Sequence, residues 1–153
     1  MRPQLKFAAA LALLAACGEG PLDPGAFTLR GQWIGRGFPY ELALNLDQDG
    51  ANRVDGDGEI RSLRQRLETD TISLDPLVTD TVLLDTVIVD RVAVEVLGDW
   101  DYPDFVLTLR AADYADAQYE GRFGGTSPDS IGGTLRGSGF PDVSIPLVRV
   151  LTP

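Results

Sequence analysis

The sequence has no histidine, one cysteine and one lysine, and each scarcity excludes a kind of site. Without histidine, the chain lacks the usual general base, the usual zinc ligand and any Ser-His-Asp triad. The only lysine is Lys6, near the N-terminus, so no phosphate-binding loop of the Gly-x-x-x-x-Gly-Lys type is present. No serine stands in a Gly-x-Ser-x-Gly turn. We therefore expect a protein that is not an enzyme, has no catalytic residues and takes no cofactor.

The sequence is also poor in positive charge. Its 13 lysine and arginine residues stand against 23 aspartate and glutamate residues, which gives a net charge of −10. Nucleic-acid binding requires a basic face, so we expect no nucleic-acid partner. Anionic lipid headgroups repel such a chain as well, so surface charge does not hold it on a membrane. Pairs of carboxylates occur by chance in so acidic a sequence and do not by themselves indicate a glycosidase.

The first residues have the three zones of an export signal. Arg2 and Lys6 provide a positive start, and residues 7–16 form an apolar run dominated by alanine and leucine. A transmembrane helix needs about 20 apolar residues, so this run is too short to cross a bilayer. Small residues end the run immediately before Cys17. The pattern predicts export, and the lone cysteine excludes an intramolecular disulfide in an oxidising compartment.

The motif Leu14-Ala15-Ala16-Cys17 resembles the lipobox of bacterial lipoproteins. The resemblance implies a lipoprotein signal peptide over residues 1–16 and a mature N-terminus at Cys17, where acyl chains such as palmitate provide the membrane-lipid anchor. Gly18 rather than aspartate follows the cysteine, which in Gram-negative lipoproteins implies the outer membrane. The alternative is an ordinary secretory signal followed by a chance cysteine.

The rest of the chain predicts a flexible tether over residues 17–26 and a single domain over residues 27–153. In this domain apolar and polar residues alternate with period two between clusters of glycine, aspartate and proline, and no segment has a helical stripe. Strands are predicted over residues 29–37, 40–47, 54–60, 92–96, 105–109, 119–123, 131–139 and 143–149. The fold class is therefore all-β: an eight-stranded up-and-down antiparallel barrel, with a β-sandwich as the alternative.

A repeat interrupts the alternation between residues 70 and 95, where an acidic residue recurs at every fifth position. One extended strand of that length would span roughly 80 Å, which is too long for a barrel wall. We interpret the stretch as a repeat-containing insertion at about 68–90 that forms an expanded loop between the third and fourth strands. The alternative is a protruding β-hairpin whose edge a partner can extend. We expect residues 70–85 to be dispensable for the core.

The motif Gly31-Gln32-Trp33 on the first predicted strand, together with Arg149 on the last, resembles the calycin superfamily of lipocalins, fatty-acid-binding proteins and avidin-like barrels. There a Gly-x-Trp motif opens the barrel, and in lipocalins an arginine of the final strand packs across the indole. The resemblance implies a calycin-like barrel with Trp33 and Arg149 as its barrel-closing pair. Independently, the alternation places Arg149 on the inward face. Pro146 within the last strand requires a bulge or a lost ladder bond.

Two functions remain open. The first, which we favour, is a binding module at the cell envelope whose barrel mouth holds an apolar or amphipathic small molecule. The second is a structural or interaction lipoprotein with a packed barrel and no small-molecule ligand, whose protein partner the sequence does not indicate. Inward-facing glycines favour an open interior, whereas inward-facing aromatic residues such as Trp33, Tyr119 and Phe123 favour a filled one.

Acidic and amide side chains cluster around one predicted turn, as calcium sites do: Asp47, Asp49, Asn52, Asp55, Asp57 and Glu59. The EF-hand spacing is absent, because Asn52 or Ile60 stands at the position that requires glycine. In strand geometry the last three carboxylates simply face water. We therefore expect no metal site.

Overall fold

The computed structural model describes residues 27–50, 52–69, 82–124, 127–137 and 139–151. These residues form nine strands: β1 (Gly31–Gly37), β2 (Tyr40–Gln48), β3 (Arg53–Thr69), β4 (Val82–Asp101), β5 (Asp104–Arg110), β6 (Ala117–Phe123), β7 (Ser130–Gly137), β8 (Phe140–Ser144) and β9 (Leu147–Arg149). No helix in the described part of the chain is long and apolar enough to cross a membrane. The predicted signal peptide, Cys17 and the tether lie outside the described residues.

The strands form one closed antiparallel sheet. Each strand from β1 to β7 pairs with the next one along the chain. The short strand β9 pairs with both β1 and β7 and so closes the ring, while β8 pairs with another part of β7. Because β8 and β9 share one position in the wall, the barrel has eight strands. The predicted up-and-down barrel is confirmed, and the sandwich alternative is not adopted.

Pro146 divides the last wall position into two strands. The β8 strand ends at Ser144 and β9 begins at Leu147, with the proline between them. Since proline has no backbone N–H, the ladder loses a bond there, as the sequence predicts. The neighbouring Ile145 keeps its place against β7, because its backbone N–H donates to the carbonyl oxygen of Gly133 over 2.9 Å.

The core lies inside the barrel and follows the period-two alternation. In β2, for example, Leu42, Leu44 and Leu46 are buried, whereas the intervening Asn45 is exposed. Burying each such leucine contributes about 1.5–3 kcal/mol relative to leaving it in water. The largest fully buried side chains include Trp33, Tyr119, Leu29, Leu42, Leu107 and Leu109.

The two ends of the barrel differ. We call the end where residues 27–30 enter the N-terminal end; it also carries the β2–β3, β4–β5 and β6–β7 connections and the residues that follow β9. Six aromatic rings meet there, because five rings surround that of Phe123: Phe27, Trp33, Trp100, Tyr102 and Phe105. The ring centroid of Phe27 lies 5.1 Å from that of Tyr102 and 5.3 Å from that of Phe123. The opposite end, which we call the hairpin end, carries the β1–β2, β5–β6 and β7–β8 connections and the continuation of β3 and β4.

The strands β3 and β4 extend beyond the barrel wall. They pair with each other from Arg53 and Asp99 as far as Thr69 and Val82. However, β2 reaches only Ser62 of β3, and β5 reaches only back to Glu95 of β4. Residues 63–69 and 82–88 therefore form a two-stranded hairpin extension, about 23 Å long at the usual rise per residue.

The hairpin extension corrects the interpretation of the repeat. Residues 82–90 are strand and not loop, so the preferred loop interpretation is wrong for this part, and the hairpin alternative describes it. The ladder register shifts between Ser62 and Leu63, which leaves Val89 as an extra residue on β4. Such a β-bulge adds one residue to a strand and bends it. The extra residue allows a sequence repeat of five residues, an odd period, to continue in the ladder. Residues 70–81 lie outside the described residues.

Candidate functional site

Trp33 and Arg149 lie side by side where the first and last strands meet. They are Cα partners in the β1–β9 ladder, and the guanidinium carbon of Arg149 lies 4.3 Å from the centroid of the Trp33 ring. The indole Nε1 of Trp33 donates to the carbonyl oxygen of Leu29 over 2.7 Å. Trp33 is almost completely buried, with 1% exposed.

Arg149 also binds the segments at the N-terminal end. Its Nη2 donates to the carbonyl oxygen of Thr28 over 2.6 Å, and its Nη1 donates to that of Arg30. Its Nε donates to Asp129 Oδ1 over 2.9 Å. The arginine thus joins β9, the chain before β1 and the β6–β7 connection. These contacts give the pair a structural role in closing the barrel, because a half-buried cation requires such partners.

Aromatic rings fill the space that the inward-facing glycines leave. The ring of Phe105 lies over Gly121, and the ring of Tyr119 lies over Gly133 on the neighbouring strand. Tyr119 is fully buried, and its hydroxyl donates to the carbonyl oxygen of Ile145 over 2.7 Å. Burial raises the pKa of Tyr119. These glycines therefore accommodate aromatic side chains of adjacent strands, and they do not open the barrel.

A binding mouth of the predicted kind would lie at the hairpin end, since the entering chain covers the other end. Three apolar side chains, Tyr40, Ile60 and Val92, are partly exposed there and pack against the buried core. The N-terminal end is covered by residues 27–30 and the aromatic rings around Phe123.

The acidic residues around the β2–β3 turn serve local structure. Asp47 accepts hydrogen bonds from the backbone N–H of Gln48 and from Arg30, and these bonds lower the pKa of Asp47. Asp49 Oδ1 accepts from the backbone N–H of Arg53 over 2.9 Å. Within the part of the chain that the structure describes, no group of three His, Cys, Asp or Glu side chains is placed to hold a metal ion.

A concave surface with a volume of about 950 Å³ lies on the outside of the barrel, across β1 to β4 and the residues after β5. Its lining includes the outward-facing side chains Ile34, Ala43, Asp57, Ala93, Glu95 and Arg110. We call it the outer-wall groove. Four outward-facing residues lie opposite one another across β1 to β4: Ile34, Ala43, Glu59 and Ala93. The short side chains of the two alanines leave a depression between their larger neighbours. Sequence analysis did not find this groove, although apolar residues at outward positions of the alternation were a visible signal.

An ion-pair network borders the outer-wall groove. Glu41 faces outward but is only 4% exposed, and its Oε1 accepts from Arg61 Nη1 over 2.8 Å. Its Oε2 accepts from Arg36 Nε over 3.0 Å, and Arg61 Nε donates to Glu59 over 2.9 Å. Burial raises the pKa of Glu41, but the hydrogen bonds from Arg61 and Arg36 outweigh burial, so its pKa lies below the ordinary 4.5. This network, which the sequence analysis also missed, holds β1, β2 and β3 together.

These features define a class of protein: a small, closed, eight-stranded antiparallel β-barrel with a filled interior, compatible with a lipocalin-like fold. Such a barrel suits either ligand binding or a structural role. No known protein family matches the chain, and neither a curated protein nor a solved structure matches it at a significant level.

Proposed function

We propose that this protein is a lipid-anchored interaction module of the cell envelope, which holds a β-hairpin away from the membrane for a protein partner. In this proposal Cys17 carries the lipid and the outer membrane of a Gram-negative bacterium holds the anchor. The protein is then neither an enzyme nor a cofactor carrier, and it meets neither nucleic acid nor a metal.

The filled barrel interior is the observation that favours a protein partner over a small-molecule ligand. Pockets that enclose a drug-sized ligand have volumes of about 300–1,000 Å³. The inward space of this barrel is taken up by its own rings, since Phe105 and Tyr119 lie over the glycines of the adjacent strands. Trp33 and Phe123 fill the region near the N-terminal end. A ligand inside the barrel would have to displace these side chains.

The placement of the chain ends supports a projecting hairpin. The described chain begins at Phe27, at the N-terminal end of the barrel, ten residues after Cys17 in the sequence. An anchor at Cys17 therefore attaches to this end. The hairpin extension leaves the opposite end of the barrel. In this proposal it therefore points away from the membrane.

The hairpin extension has free strand edges that suit a protein partner. Residues 64–69 of β3 and 82–94 of β4 have a described strand neighbour on one side only, whereas the backbone N–H of Leu63 donates to the carbonyl oxygen of Pro39 over 2.7 Å. A free edge offers backbone N–H and C=O groups to which a partner strand can hydrogen-bond. The exposed charges of Asp85, Asp90 and Arg91 lie along the β4 edge, and such charges hinder indiscriminate edge pairing.

Native mass spectrometry of protein extracted from its own cells tests the choice of function. We expect the mass of the acylated chain alone or with a protein partner, because side chains such as Phe105 and Tyr119 occupy the inward space over the glycines. A small molecule that co-purifies in a one-to-one ratio would instead support the alternative of a barrel that binds an apolar ligand at its mouth.

Site-specific photo-crosslinking in cells tests the hairpin. A crosslinking residue at Thr86, on the free edge, is expected to give a discrete protein adduct. The control carries the same residue at Gln118, which is exposed on β6 within the barrel wall. Adducts of equal yield at both positions, or none at Thr86, would contradict a partner at the hairpin.

A further inference from the structure

We propose that the outer-wall groove is a second binding site, which takes a peptide segment with a basic side chain between apolar ones, contributed by a partner protein. This proposal goes beyond the proposed function, since it holds whether or not the hairpin has a partner. Three features of the groove carry it: an apolar floor, an unbalanced pair of carboxylates and an open, elongated shape.

The floor of the groove is more apolar than a barrel exterior normally is. Ile34, Ala43 and Ala93 occupy outward positions of β1, β2 and β4 in one row across the sheet. Glu59 of β3 stands between the two alanines in this row, and its carboxylate is paired with Arg61. Val150 extends this apolar surface next to β1, and its exposed fraction of 43% is close to the 40% of Ile34. Apolar side chains that are grouped and exposed in this way mark a contact surface for another molecule.

The charge of the groove selects a cation. Asp57 and Glu95 are Cα partners in the β3–β4 ladder, so the two carboxylates stand directly opposite each other on the outer face. Like charges in this position repel and destabilise a sheet. Asp57 accepts a 3.4 Å hydrogen bond from the Asn45 amide, and among the described residues neither carboxylate has an ion pair.

The arginines that line the groove already have acidic partners. Arg61 binds Glu41 and Glu59, with N–O distances of 2.8 and 2.9 Å. Arg110 is the Cα partner of Glu95 in the β4–β5 ladder, but its Nε lies 3.5 Å from Asp116 and makes its ion pair there. A lysine or arginine side chain from outside would therefore balance the charge that Asp57 and Glu95 leave, whereas an anionic lipid or a nucleic acid would be repelled.

The shape of the groove favours a peptide over a compact small molecule. The lining reaches from β1 to the residues after β5, and four strand spacings of about 4.8 Å correspond to roughly 19 Å. An extended peptide of about six residues has this length. The groove crosses the strands and stays open to solvent along its length, so an occupant would be recognised through its side chains and would not add a strand to the sheet.

Fluorescence anisotropy with the purified full chain tests this inference. The probe is a fluorescein-labelled hexapeptide of alternating leucine and lysine, at 150 mM salt. We expect saturable one-to-one binding of this probe. Hexapeptides of alternating leucine and glutamate, or serine and lysine, should bind at least tenfold more weakly, because the first lacks the cation and the second lacks the apolar side chains. Equal binding of either control peptide, or no binding of the probe, would overturn the proposal.

Two variants and a charge-matched control locate the site. Asp57→Asn with Glu95→Gln removes the carboxylate pair and should weaken binding about tenfold, while Ala93→Phe fills the floor and should weaken it without any change of charge. The control, Asp99→Asn with Asp101→Asn, removes two exposed carboxylates of β4 outside the groove and should bind like the wild type. Thermal unfolding checks that each variant is folded. If the control variant bound the probe as weakly as the carboxylate variant, the attraction would depend on overall charge only. If Ala93→Phe bound the probe like the wild type, the floor of the groove would not contact the peptide. Either result overturns the proposal.

Discussion

Arg149 stacks on the indole of Trp33, with its guanidinium carbon 4.3 Å from the ring centroid, and so joins the last strand of the barrel to the first. The same guanidinium donates to the carbonyl oxygens of Thr28 and Arg30, which lie in the segment that enters the barrel. A desolvated cation–π contact contributes about 1–2 kcal/mol. The pair therefore stabilises the closure, where contacts between distant parts of the sequence must offset the entropy of joining the chain ends.

A double-mutant cycle tests this contact. Trp33→Phe and Arg149→Met are each expected to destabilise the barrel, and their coupling energy should be about 0.5 kcal/mol or more because the side chains touch. Chemical denaturation of the two single variants and the double variant measures it. Arg122→Met, on the exposed side of β6, serves as the uncoupled control for Trp33→Phe. Additive effects of Trp33→Phe and Arg149→Met would contradict a stabilising contact.

The glycine under the Tyr119 ring provides a second test. A Cβ at Gly133 would overlap the ring of Tyr119, which is fully buried and hydrogen-bonded, so Gly133→Ala should cost about 1–3 kcal/mol of unfolding free energy. The adjacent Gly132 faces outward with nothing within 4 Å of its Cβ position, so Gly132→Ala should change stability by less than about 0.5 kcal/mol. Equal costs at the two positions would be inconsistent with a filled interior.

The buried carboxylate of Glu41 predicts a pH-dependent stability. Its pKa is lowered in the folded protein, so its contribution is present above the unfolded value near 4.5 and is lost as the pH falls through the folded value. Glu41→Gln should therefore cost about 1–3 kcal/mol at pH 7, and much less in acid. Urea unfolding from pH 7 to pH 3 measures the difference. The exposed pair of Glu120 with Arg136 supplies the control, since Glu120→Gln should cost less than about 1 kcal/mol throughout. A Glu41→Gln cost that stayed constant with pH would contradict the ion-pair assignment.

The hairpin extension should be dispensable for the barrel. Leu63 and Ile88 are Cα partners at its base, so an Asn-Gly turn that joins them replaces residues 64–87 without cutting the barrel wall. We expect cooperative thermal unfolding with a midpoint within about 5 °C of the wild type. Non-cooperative unfolding would show that the extension belongs to the core.

Lipidation remains a prediction from the sequence, since Cys17 lies outside the described residues. Cells that are fed labelled palmitate should label the wild-type protein but not Cys17→Ser, and this variant should leave the membrane fraction. The second change follows because acyl chains contribute about 0.8 kcal/mol per buried methylene to membrane binding. Equal labelling of both proteins would exclude an acylated Cys17.

The sequence by itself determined how many strand positions the barrel wall has and where in the chain they lie. The period-two alternation located the eight wall positions, because each strand has one face in the core and one in water, and Pro146 marked the break in the last position. It also placed Trp33 and Arg149 on inward faces of the first and last strands. A local pattern suffices for these features because side-chain direction in a strand depends only on position along the chain.

Only the tertiary structure determined which side chains contact the inward and outward faces of the strands. From the sequence, the inward-facing glycines are compatible with either an open or a filled barrel interior. The rings of Phe105 and Tyr119, which reach the glycines from neighbouring strands, decide for a filled one. The sequence also provided no sign that Glu41 is buried between two arginines, and it left the repeat open between a loop and the hairpin that continues the β3–β4 ladder. The outer-wall groove arises likewise when register places Ala43, Glu59 and Ala93 of three neighbouring strands in one row. Register and closure fix such neighbours, and they are properties of pairing between distant segments that no local pattern contains.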